Sequence, residues 1–111
     1  MTRELIDFIE SMNWYVHEYS DGYYELESYS PEGEDLIIEL PGGTDDVVLM
    51  ALMMNYEAFD AEEHACNWYG KNRGEPSSLK ILLEDAYAIR DMYRELCVNV
   101  EDFLRRKDGQ H

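Results

Sequence analysis

Asp60, Glu63 and His64 form the densest group of residues with catalytic or metal-binding chemistry in this 111-residue chain. Asp60 and His64 stand four apart, one turn of a helix, with Glu63 beside them, a spacing that an acid/base pair or a nascent metal site could use. Zinc needs three or four ligands in a defined constellation, and neither an HExxH motif nor a second ligand pair occurs. Helix capping accounts for Asp60 and Glu63 without a metal. Cys66 follows His64 by two residues, about 200° around a helix, so the two cannot serve as nucleophile and base. His17 falls opposite Glu25 in the strand register derived below, and reads as a cross-strand contact. Gly42-Gly43 opens a helix, but Asp45 and Asp46 follow and would repel a phosphate. These residues point away from an enzyme, a cofactor or a bound metal.

The acidic groups say more as a surface. Glu18 to Asp46 holds ten carboxylates, four tyrosines and no lysine or arginine. Met1 to Gly70 has one basic residue, Arg3, against 17 acidic ones, whereas Lys71 to His111 has eight of each; the whole net charge of −16 therefore falls in the first part. Such asymmetry is a statement about partners rather than fold. It speaks against direct nucleic-acid or anionic-membrane binding, which need positive surfaces. Carboxylates set a few ångströms apart among tyrosines can instead imitate phosphates beside planar groups, and so engage the Lys and Arg of a nucleic-acid-binding protein. A well-solvated face is the plainer reading. The confinement of the charge to one region and its placement on ordered hairpins favour the mimic.

The elements that must position these groups follow from pattern. Thr2 caps a helix with apolar Leu5, Ile6, Ile9 and Met12, and Asn13 is its exit. Three strands follow, Trp14–Tyr19, Tyr23–Ser30 and Leu36–Leu40, rich in aromatic and branched residues. A two-residue Asp21-Gly22 turn would pair Glu18 with Glu25. A three-residue Ser20-Asp21-Gly22 turn with left-handed Gly22 pairs Trp14 with Ser28, Val16 with Leu26 and Glu18 with Tyr24, and is predicted because the buried face sets register. Through the Pro31-Glu32-Gly33 turn, Leu36, Ile38 and Leu40 join the inner face. Tyr15, His17, Tyr19, Tyr23, Glu25, Glu27, Tyr29, Ile37 and Glu39 form the outer one.

After Pro41-Gly42-Gly43, Thr44 caps a helix with Asp45 and Asp46 in its first turn. Val47 to Met54 leaves no polar face, so this helix is expected at the buried centre of the domain; a methionine-rich groove for a partner is the alternative. Asp60 and Glu63 open a short helix that runs through Trp68 and Tyr69 and breaks at Gly70. The loop from Lys71 to Pro76 is the first basic stretch. Ser77 or Ser78 then starts the longest helix, with a stripe of Leu79, Leu82, Ala86, Ile89, Tyr93, Leu96, Val100 and Phe103 and the favourable pairs Glu101–Arg105 and Asp102–Arg106. The stripe is broadened by Ile81, Leu83, Tyr87 and Met92, which favours packing within the chain over a homodimer seam. The expected architecture is one compact α+β domain over residues 1–106: a three-stranded antiparallel meander packed against an N-terminal helix and a C-terminal helical set ending in one long helix. Residues 107–111 are expected to fray.

Cys66 and Cys97 form no metal or redox motif and suit a reducing cytoplasm. Glu4 and Asp7 interrupt the N-terminus before any signal-peptide core, and Val47–Met54 is too short to span a membrane.

Two stretches, DGYYELESYSPEGED (Asp21–Asp35) and FDAEEHACNWYGKNRGEPSSLKILLEDAYAIRDM (Phe59–Met92), resemble small acidic proteins carried by phages and mobile elements of Gram-positive gut bacteria. Several proteins of that kind are anti-CRISPR or antirestriction factors. The resemblance implies a non-enzymatic inhibitor in the cytoplasm of a bacterial host, monomeric or homodimeric, that blocks an RNA-guided nuclease, type II among the candidates, or a restriction nuclease. The expected partner-binding residues are Tyr19, Tyr23, Glu25, Glu27, Tyr29, Glu32, Glu34, Asp35, Glu39, Asp45 and Asp46. The alternative is an antitoxin-like or adaptor module that dimerises through Leu79 to Phe103.

Overall fold

A computed structural model describes residues 1–71 and 78–109. Its elements run α1 (Arg3–Glu10), β1 (Tyr15–Glu18), β2 (Tyr24–Tyr29), β3 (Asp35–Leu40), α2 (Asp45–Ala58), α3 (Ala61–Lys71) and α4 (Leu79–Asp108). The fold is α+β, with a three-stranded antiparallel sheet in the order β1-β2-β3.

Each helix starts where its first polar side chain can satisfy a free backbone N–H. The Thr2 hydroxyl accepts from Leu5 N, Thr44 from Val47 N, Asp60 from Glu63 N and Ser78 from Ile81 N. Gly70 does not end α3, which continues to Lys71. The expected basic loop, Lys71–Pro76, lies almost wholly outside the described residues, as does Ser77. At the other end α4 continues through Asp108, past the expected boundary at residue 106, and Lys107 Nζ lies 3.0 Å from Glu4. Gln110 and His111 are outside the described residues.

The hairpin turns set the sheet. Tyr19 N–H donates to Tyr23 O and Gly22 N–H to Tyr19 O, closing the three-residue turn, with Gly22 at φ +90°. Ser30, Glu34 and Gly33 repeat the arrangement, with Gly33 at φ +89°. A side chain is strained at these dihedrals, which is why each turn places glycine there. The register follows: Val16 faces Leu26, Glu18 faces Tyr24, Leu26 faces Ile38 and Tyr24 faces Leu40. Leu26, Leu36, Ile38 and Leu40 are buried against Leu5, Ile9, Val48, Leu52, Ile89, Leu96 and Val100 in one core.

Helix α4 is the spine, roughly 45 Å long at 1.5 Å per residue, in a molecule of 52 × 30 × 22 Å. Its C-terminal half carries the main core with α1, α2 and the sheet; its N-terminal half packs α3 through a smaller cluster of Ala61, Ala65, Leu82 and Ala86. Most of the stripe is buried inside the chain: Leu82, Ala86, Ile89, Leu96 and Val100 are covered, Tyr93 and Phe103 partly so, and Leu79 is exposed.

Helix α2 departs from expectation. It buries only Val48 and Leu52, while Val47, Met50, Met53 and Met54 face solvent, so it is a flanking helix and not the domain's centre. The reason is geometric: α2 packs on α4 and β3 with one side, and no described element covers its other side.

Candidate acidic interaction face

Alternation along the strands sends Tyr15, His17, Glu25, Glu27, Tyr29, Ile37 and Glu39 to the face opposite the core. Helices α1, α2 and α4 pack on the inner face, leaving Tyr15, Tyr29, Ile37 and Glu39 exposed. Tyr19 and Tyr23 extend the face past the strand ends. Their rings stack at 4.7 Å with an interplanar angle of 11°, and the Tyr19 hydroxyl donates to Glu25 at 2.9 Å.

The charges on this face are not offset. Glu25 lies directly across from Glu39, a like-charge pairing that costs stability. Glu27 lies across from Tyr15 on one side and Ile37 on the other. Although His17 and Glu25 are register partners, the imidazole Nε2 reaches diagonally to Glu27 at 3.1 Å. Asp35 pairs with Tyr29 and holds its proton more tightly than usual, because it loses hydration against the sheet and shares a hydrogen bond with Glu27. The tyrosines respond to the same field. Tyr19 is raised first by its bond to Glu25, Tyr23 by partial desolvation and then by Asp21, Glu25 and Glu39, and Tyr29 by the charges of Glu27 and Asp35. Every resolved shift on the face favours keeping a proton, the signature of an uncompensated negative potential.

Thus Tyr19, Tyr23, Glu25, Glu27, Tyr29, Asp35 and Glu39 come together on one surface. The other four expected contacts do not. Glu34 turns away and both its oxygens lie 2.8–2.9 Å from His64 Nε2, tying β3's entry to α3. Glu32 keeps an exposed side chain beside that pair, and its N–H donates to Asp85 at 3.0 Å. Asp45 accepts from both the N–H and the hydroxyl of Thr2 at 2.7 Å, clamping α1 to α2. Asp46 is exposed beside it at the start of α2.

Asp85 is the residue that sequence reasoning passed over. Buried on α4, it accepts from the Ser30 hydroxyl at 2.7 Å and from Glu32 N–H, while Ser30 Oγ accepts from Glu34 N–H at 3.0 Å. One carboxylate therefore holds the second hairpin turn against the spine. Its signal was an acid three residues after Leu82 and four before Ile89, on the stripe itself. Glu32, Glu34, His64, Trp68, Leu82 and Asp85 line a small cavity of about 80 Å³.

The acid/base candidates on α3 are parted. His64 bonds Glu34 while Asp60 caps α3, so the one-turn pair is split between two tasks. No group of three or more His, Cys, Asp or Glu side chains is placed to hold a metal ion among the described residues. Cys66 is exposed; Cys97 is buried, and loss of hydration, with Glu101 and Glu57 nearby, pushes its thiol up to about 11. Among the described residues no helix is long and apolar enough to cross a membrane. No protein-family model, curated protein or solved structure matches the chain.

Proposed function

We propose that this protein is a non-enzymatic inhibitor that lays its outer sheet face into the nucleic-acid-binding groove of a basic protein. The observation that carries the reading is the face itself: Glu25, Glu27, Asp35 and Glu39 interleaved with Tyr19, Tyr23 and Tyr29 on a paired sheet whose strands and turns contain no lysine or arginine. A rigid array avoids the ordering cost that a flexible acidic tail would meet on binding, and its field speeds encounter with a cationic groove. The resemblance noted above directs the choice of target to a defence nuclease in the bacterial cytoplasm, RNA-guided or restriction-type. Burial of the α4 stripe inside the chain favours a monomeric inhibitor over a module that dimerises through that helix.

Capture of CRISPR and restriction effectors from lysate, repeated across salt, tests the proposal. Converting Glu25, Glu27 and Glu39 together to Lys is expected to weaken capture by about a hundredfold or more, with the circular dichroism spectrum unchanged because these side chains face away from the core. Capture by the wild type should fall steeply as salt rises. Undiminished capture by the triple variant, or capture indifferent to salt, would overturn the sheet-face reading.

A further inference from the structure

The exposed side of α2 is a second surface, chemically unlike the acidic sheet. Val47, Met50 and Met54 recur at i, i+3 and i+7 and are 40%, 63% and 65% exposed, with Met53 alongside at 39%. Asp46, Met50, Met53 and Glu57 trace the neighbouring row, so an exposed carboxylate closes each end of the apolar patch. The helix contains no basic residue. A contiguous apolar patch on a helix whose inner side is already satisfied by Val48 and Leu52 is an unusual use of four large side chains, and methionine is the side chain best able to adapt to a varied apolar partner.

We propose that this side of α2 is a docking surface for a basic amphipathic helix of another protein. The apolar row of that helix would lie along Val47, Met50 and Met54, with Met53 filling the edge. Its lysines or arginines would flank the row and meet Asp46 and Glu57, which stand eleven residues, about 16 Å, apart along the axis. Charge decides the occupant. A second copy would bring another −16 against the same surface, so self-association is opposed while a cationic helix is attracted. The surface is separate from the outer sheet face and stands whatever that face binds.

The test uses the full chain labelled with ¹³C at methionine methyls and three synthetic peptides of equal length. One is a Leu/Lys helix with apolar residues at helical spacing, the second is its scrambled sequence, and the third replaces every Lys by Glu. The basic amphipathic peptide should shift the Met50, Met53 and Met54 methyl signals and leave Met12 and Met92 in place. Replacing Met50 and Met54 together by Gln should lower its affinity by about tenfold or more, without loss of helix content. Equal binding of the scrambled peptide, or binding that leaves these methyls unmoved, would reduce the interaction to bulk electrostatics and overturn the proposal. So would shifts that grow with protein concentration in the absence of peptide, which would make a second copy the occupant. Failure of the basic helix to bind would overturn it outright.

Discussion

Glu27 is linked to three other residues of the acidic face: His17 at 3.1 Å, Asp35 through a shared hydrogen bond, and Tyr29 through its charge. Asp35, which loses hydration and then meets the hydrogen bond and charge of Glu27, has its pKa raised above its ordinary 3.8. Folded Asp35 thus binds its proton more tightly than unfolded Asp35. The stability this brings is fully present below the unfolded value and is lost as pH rises through the folded one. Asp35→Asn should accordingly melt higher than wild type at neutral pH, with the gap closing as pH approaches about 4. Melting curves of the two proteins at matched pH check it, and a gap that widens on acidification would reverse the sign. At this scale the sequence was informative wherever position followed from strand parity. It could not show that Glu34 would turn to His64, or Asp45 to Thr2, because those partners lie 30 and 43 residues away and the geometry that joins them is tertiary.

The hairpins were legible as elements because each turn carries a glycine where positive φ is required, and because only one register turns Val16, Leu26 and Ile38 toward the core together. Helix α2 was misread for a complementary reason. An unbroken apolar run says that a helix can be buried on all sides but not how many sides its neighbours reach, and here they reach one. Asp85 shows how elements are joined: it gives the β2–β3 turn two hydrogen bonds from α4, while His64 on α3 holds Glu34 at the same corner. Asp85→Ala removes a charged acceptor from Ser30 and from the Glu32 N–H, and is expected to destabilise the fold by about 2–3 kcal/mol. Urea denaturation measures the loss. Hydrogen exchange should place the largest change in the turn from Ser30 to Glu34, and a change confined to α4 would refute the tie.

For the molecule as a whole, the net charge of −16 acts on stability as well as on partners. Glu25 faces Glu39, and the lysine and arginine ion pairs among the described residues, such as Arg105–Glu101 at 2.6 Å and Arg106–Asp102 at 3.1 Å, lie on α1 and along α4, leaving the sheet's repulsion in place. Added salt shortens the reach of that repulsion to about 10 Å at 0.1 M and about 3 Å at 1 M. The melting temperature should therefore rise with sodium chloride over that range. Scanning calorimetry tests the trend, and a falling melting temperature would show that the pairs on α4 outweigh the sheet. The overall architecture was the most legible level, since charge balance, helix caps and strand alternation are each summed over many residues.

The attachment of α1 also sets an order of assembly. Neighbouring strands pair through three-residue turns, so the meander can close almost as soon as it is made, with little loop entropy to overcome. The first helix can meet β1 early but cannot complete its contacts then. Phe8 stacks on Phe103 at 4.5 Å, Glu4 meets Lys107, and the terminal ammonium of Met1 donates to Gly43 O. Residues made before the sheet therefore complete their contacts only once the end of α4 has been made. During synthesis the apolar side of the sheet is therefore expected to stay partly open until α4 is made, so that the closing of the fold is timed by the far end of that helix.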